Sequence, residues 1–250
     1  KVMAAKSVSV SNFRSPTGTV EEKYSQLQSM MADNIVKSTN SHLADLGELQ
    51  QIDAEFDLWT NYMLNHDIRQ FFIARREFAM ANYCASSGMY RQAYSSLRVF
   101  LELSFATVYF SVHEFDRRRW EKGKLDYSWR LGLDEQSGVL SKEFVEVFQN
   151  GLVNHAMDFA KKASNSYRCC SEYIHGKATM SRLLPEGLQY EKRVLEDWIG
   201  HAKDAGEAVL FLLLVRYGDK TMEDPEILEV VAERFGFLSG VRELIGLAND

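Results

Sequence analysis

No proline stands between Pro16 and Pro185, and across that span apolar residues recur every three to four positions. Proline interrupts helices because it lacks the backbone N–H and clashes with the preceding turn. A chain that avoids it so long while keeping a helical apolar period has few options besides packed helices. Only three prolines occur in all 250 residues, and the third, Pro225, lies near the end. No alternating strand pattern and no internal repeat interrupts this reading. The sequence predicts an all-α fold, a multi-helix bundle with an N-terminal helical extension and short C-terminal helices.

The elements follow from period and punctuation. Residues 1–17, rich in Ser and Thr, read as a flexible arm. Thr19 is a candidate N-cap for a first helix, with Glu21 and Glu22 in its first turn. A second helix is expected from about Ser41 to Leu64, and a third from Asn65 or Asp67 to Gly88. The fourth, about Met89 to Glu114, is apolar on most sides and therefore central. It carries one polar stripe, Arg91, Ser95, Arg98 and Glu102. Residues 115–140 read as a connector with one short helix. Ser141 caps the next helix, and another runs from about Leu152 to His175, stopped by Gly176. "TMSRLLPEG" reads as a loop before a long helix from about Leu188 to Tyr217. The domain of 18–220 is then followed by amphipathic helices in 221–250, split at Gly236. Their apolar stripe, Ile227, Val230, Val231, Phe235, Leu238, Val241 and Ile245, could pack back on the bundle or meet a partner protein through residues 225–247.

Charge and cysteine narrow the function classes. The net charge of −6 argues against coating nucleic acid through the overall field. The local runs Arg117–Arg119, Arg75–Arg76 and Lys161–Lys162 read as solvated helix faces. Cys84, Cys169 and Cys170 form neither a C-x-x-C pair nor a disulfide framework, so a reducing cytoplasmic setting is expected and no zinc site. The most apolar run, Ala208 to Val215, is far short of the roughly 20 residues that cross a bilayer. No phosphate-binding Gly-rich loop and no G-x-S-x-G turn appears.

The chemistry concentrates in "NSYRCCSEYIHGK". Arg168 and His175 stand seven positions apart, which on a helix returns to within roughly 20° of the same direction. Ser171 and Glu172 lie on that stripe between them, and Ala163, Tyr167, Cys170 and Ile174 form the opposite, largely apolar one. An arginine, six residues and a histidine late on a helix, just before a glycine stop, resembles the signature of the HEPN superfamily (higher eukaryotes and prokaryotes nucleotide-binding). "YRCCSEYIHG" is similar to the ends of defence-associated members. "SLRVFLE" places Arg98 and Glu102 one turn apart on an earlier helix, as those members do. The resemblance covers about 70–217. Cys169 follows Arg168 where the family usually has Asn, Asp or His.

What the resemblance implies is a metal-independent endoribonuclease, or an RNA- or nucleotide-binding protein, in a bacterial defence or toxin–antitoxin setting. The substrate 2′-hydroxyl would be the nucleophile and His175 the general acid or base, as an imidazole can be near neutrality. Arg168 would stabilise charge on the phosphoryl oxygens. Ser171 and Glu172 would orient the pair, with Arg98 and Glu102 in support. The products would be a 2′,3′-cyclic phosphate and a 5′-hydroxyl. The family also implies a homodimer, and no cofactor or metal is called for.

The rival reading is a non-catalytic helical interaction or scaffold module. In it, Arg98, Glu102, Arg168, Glu172 and His175 would form a structural network. A di-iron carboxylate centre fits poorly. Glu172 and His175 make one E-x-x-H pair, but no second exists.

Overall fold

The computed structural model describes residues 18–220 and 223–246, residue 220 in its backbone alone, and every regular element among them is helical. The arm expected at 1–17 lies outside the described residues. The fold is an all-α bundle.

The first helix, α1, runs Val20–Thr60. A capping box starts it: Glu22 N–H donates to Thr19 Oγ1 at 3.2 Å, and Thr19 N–H to Glu22 Oε2 at 2.8 Å. Here the structure differs from the two separate helices expected. The chain passes straight through their junction with a kink at His42, whose φ of −138° and ψ of 34° are not helical. Burial explains the continuity. His42 is turned inward, with Nε2 3.2 Å from the Tyr190 hydroxyl, so the break is held by a tertiary contact and does not open into a loop.

Helices α2 (Asn65–Ser86) and α3 (Tyr90–Val112) form a tight hairpin. The region expected to be a connector contains two short helices, α4 (Glu114–Glu121) and α5 (Trp129–Gly132). Ser141 caps α6 (Lys142–Gln149) through a 3.1 Å bond from Phe144 N–H. Helix α7 (Val153–Ile174) follows a single 3-10 turn. The expected loop after it holds a one-turn helix, α8 (Ala178–Ser181). Helix α9 (Lys192–Tyr217) begins four residues later than its apolar pattern suggests.

The centre is aromatic. Phe56 of α1 meets Phe71 and Phe78 of α2 and Phe100 of α3, with ring centroids 5.4–5.7 Å apart. The run Ala208–Val215 of α9 is buried throughout, so its hydrophobicity serves the core. Among the described residues no helix is long and apolar enough to cross a membrane.

The C-terminal segment folds back. Pro225 opens α10 (Pro225–Phe235), capped by Asp224, and α11 (Ser239–Leu244) follows. Phe235 packs edge-on against Phe159 of α7 and Phe211 of α9, at 5.5 and 6.0 Å. Ile227, Val231, Leu238 and Val241 are buried with it. Of the two alternatives for this stripe, Ile227, Val231, Phe235, Leu238 and Val241 pack back on the bundle, while Val230 and Ile245 stay partly exposed. A Cβ on Gly240 would come within 1.8 Å of the Gly151 carbonyl oxygen, so only glycine lets α11 lie this close to the turn before α7.

Candidate functional site: two hollows flanking helix α7

Helix α7 is held between α3 and α9, and its sequence explains why. Ala163, Ser166, Cys170 and Tyr173 recur at three to four residues and are buried, which locks the helix by packing. The residues between them reach two separate hollows. The helix ends as expected. His175 is the C-cap, Gly176 takes a φ of 62°, and Lys177 N–H donates to the Glu172 carbonyl at 3.2 Å.

The first hollow, about 770 Å³, lies between α7 and α9 beside the segment following α8. Arg168, Cys169 and Glu172 line it from α7, Arg182 from the connecting segment, and Arg193, Asp197 and His201 from α9. Arg168, Arg182 and Arg193 are exposed, and among the described residues none has a carboxylate within ion-pair distance. Of the four acids beside them, Glu172, Asp197 and Asp204 have other contacts, while the Glu191 carboxylate has no ion-pair partner among the described residues. Glu172 pairs with Lys177 at 2.6 Å, Asp204 with Lys162 at 3.2 Å, and Asp197 Oδ2 accepts from the Tyr94 hydroxyl at 2.8 Å. The Lys177 bond holds the Glu172 carboxyl below the usual range. Arg168 is held lightly, by one 3.4 Å bond from its Nη2 to Asn165 Oδ1.

His175 is exposed at the end of the same helix, but it does not line this hollow, and its ring makes no hydrogen bond among the described residues. Ser171 Oγ donates to the Tyr167 carbonyl at 2.9 Å, a bond internal to the helix. The histidine that lines this hollow together with Arg168 is His201, on α9. A ring nitrogen of His201, a carboxylate oxygen of Asp197 and Cys169 Sγ lie within 4.8 Å of one another. Burial, then the negative charges of Asp197 and Glu172, push the Cys169 thiol up to about 12. It is a neutral thiol near pH 7 and no ready nucleophile.

The second hollow, about 640 Å³, takes the other two expected residues. Arg98 Nε donates to Glu102 Oε1 at 3.1 Å, and Arg98 Nη2 to the Tyr167 hydroxyl at 2.7 Å. That hydroxyl donates to Glu102 Oε1 at 2.8 Å, which closes the ring of contacts. Tyr167 stacks on Trp129, centroids 4.2 Å apart and planes 10° from parallel. Burial works against the Arg98 charge, but Glu102 and Tyr167 outweigh it and raise its pKa. Among the described residues no ion pair joins Arg98 or Glu102 to Arg168 or Glu172.

Of the residues expected at the site, Arg168 and Glu172 line the first hollow, Arg98 and Glu102 the separate second one, and Ser171 and His175 neither; Asp197 and His201, which line the first, were not among those expected. Their signal was the i, i+4 spacing on α9. The chain was compared with protein-family models, with curated proteins and with solved structures, and none of them matches.

Proposed function

We propose that this is a HEPN-type metal-independent endoribonuclease or RNA- or nucleotide-binding protein, acting as a homodimer, with the arginine-lined hollow as a phosphate-binding surface beside the α7 end that carries His175. The observation that supports this reading is the set of three guanidinium groups, Arg168, Arg182 and Arg193, left without carboxylate partners around one hollow. Surface arginines beside carboxylates usually pair with them. Here Lys177 and Lys162 pair with Glu172 and Asp204 and the Tyr94 hydroxyl bonds one oxygen of Asp197, so the hollow keeps three fork-shaped donors suited to phosphate oxygens beside the carboxylates of Asp197 and Glu191.

In this reading Arg168 leaves its weak contact with Asn165 and bridges two phosphoryl oxygens. His175 lies two turns on, about 10 Å along the axis. It removes the proton from the 2′-hydroxyl or returns one to the leaving 5′-oxygen. A long, lightly held arginine can swing across much of that interval, and a second copy would set a strand between two α7 ends. The test is incubation of labelled RNA with the protein in the presence of a chelator. Cleavage leaving 2′,3′-cyclic phosphate ends is expected, and Arg168→Ala or His175→Ala should abolish it at unchanged helical content and melting temperature. Absence of cleavage by the parent protein would overturn the nuclease.

A second reading, the non-catalytic helical module, draws on the other hollow. Arg98, Glu102 and Tyr167 satisfy one another, as a network built for packing does. Loss of fold in Arg98→Ala or Glu102→Ala, with no cleavage by the parent protein, would favour it.

A further inference from the structure

The hollow between α7 and α9 holds a group of side chains that the ribonuclease reading does not use. Asp197 and His201 stand one turn apart on α9, and Cys169 faces them from α7. We propose that Cys169, Asp197 and His201 bind a single transition-metal dication, with zinc the best fit.

The donor set selects the class of ion. A thiolate sulfur and an imidazole nitrogen are poor ligands for calcium or magnesium, which take oxygen. One sulfur, one nitrogen and one oxygen suit zinc, which binds them at about 2.0–2.3 Å in tetrahedral geometry. Tetrahedral ligand atoms at that radius stand about 3.5 Å apart. The three atoms here already lie within 4.8 Å of one another, so closure needs shifts of about 1 Å. Asp197 is exposed and Cys169 half-buried, and both side chains are short, so rotamer adjustment can supply such a shift.

Two further features bear on the same spot. The Tyr94 hydroxyl donates to Asp197 Oδ2 at 2.8 Å, which turns the other oxygen, Oδ1, toward His201, 3.9 Å from Nε2. A hydrogen-bonded carboxylate of this kind is how outer partners orient a metal ligand. The second nitrogen of His201, Nδ1, is buried and has no hydrogen-bond partner among the described residues, so no contact in the fold fixes the ring tautomer against presenting the Nε2 lone pair. With three protein ligands, the fourth position faces the hollow and is left to water or an exogenous ligand. On binding, the Cys169 thiol gives its proton to solvent and the sulfur its electron pair to the metal.

The proposal does not rest on the ribonuclease reading. The test is titration of the reduced full-length chain with cobalt(II) and then zinc(II), followed by absorption. One equivalent of cobalt should produce a thiolate-to-metal charge-transfer band, and zinc should displace it. Cys169→Ser and His201→Ala should each lose the band with helical content retained, whereas Cys170→Ala, at the adjacent buried thiol, should keep it. Tyr94→Phe should weaken cobalt binding about 10–100-fold, the usual cost of removing a carboxylate's outer partner. A parent protein that binds cobalt without a thiolate band, or a band that survives Cys169→Ser, would overturn the site.

Discussion

Arg234 of α10 grips Glu55 of α1, its Nη2 donating to Oε1 at 2.7 Å while Nε donates to Oε2. The side chains are 10% and 5% exposed, so the tail is tied to the first long helix through a fork-to-fork pair shielded from water. Burying two charges is costly, and losing one partner strands the other. Glu55→Ala should therefore lower stability by about 3–5 kcal/mol, read as the shift in urea midpoint at unchanged slope. Replacing both residues with methionine should recover most of that loss. If Glu55→Ala costs no more than a surface substitution, the pair is solvated and the tail is loosely held.

The docked tail shows where sequence pattern stopped being sufficient. Its apolar stripe was plain, but a stripe is equally a core face or an interface. What decides is Phe235 meeting Phe159 and Phe211, residues far away in sequence. The first two expected helices were legible as helix and misread as separate. The period does break near His42, but the contact with Tyr190 that carries the helix through the break is tertiary. The same limit holds at the site. Helical spacing could put Arg168 and His175 on one stripe and Arg98 beside Glu102. It could not say that α9 walls one hollow and adds His201 to its lining, nor that Tyr167 would complete the ring around Arg98.

Gly240→Ala should release the tail locally. The added methyl cannot fit against the Gly151 carbonyl, since helix backbone on one side and turn backbone on the other leave nothing flexible to yield. Limited proteolysis should then cut within 223–246 faster than in the parent, with the 18–220 fragment intact. Equal protection in both proteins would mean that α11 can shift without cost.

Tyr167→Phe isolates the second hollow. The hydroxyl accepts from Arg98 and donates to Glu102, while the ring keeps its stack on Trp129 in the variant. Arg98 and Glu102 are partly solvated and still face each other, so the loss should be about 1 kcal/mol. Denaturant unfolding reads it. A loss of several kcal/mol would make this network a keystone of the fold.

Asp67 should make stability fall with rising pH over a defined window. It is 2% exposed, and burial is the main cause that raises its carboxyl above the ordinary 3.8; His66, the Tyr217 hydroxyl, Arg216 and Arg117 act the other way. A raised folded pKa means that the native state holds the proton more tightly than the unfolded chain. Its contribution is fully present below about 3.8 and is lost as pH rises through the folded value. Asp67→Asn keeps a neutral group at every pH. The variant should be more stable than the parent at pH 7, by about 1.4 kcal/mol for each tenfold difference in proton affinity, with the gap closing as pH falls toward 4. A variant destabilised at pH 7, with the loss shrinking as pH falls toward 4, would show that the charged carboxylate is the favoured native form.

The three free guanidinium groups make a prediction that needs no cleavage. A protein that neutralises phosphates on a single strand releases counterions, so its affinity falls with salt by a slope of about 0.7 per phosphate contacted. Arg168→Ala, Arg182→Ala and Arg193→Ala should each reduce that slope by about 0.7, and the triple variant by about 2. Lys161→Ala, which removes an exposed cation of α7 that does not line the hollow, should leave the slope unchanged. Binding of a short labelled RNA at several salt concentrations measures the parent and the five variants alike. Slopes that stay equal across the series would place the phosphate contacts outside this hollow, because the salt term counts neutralised phosphates whatever the sequence of the strand.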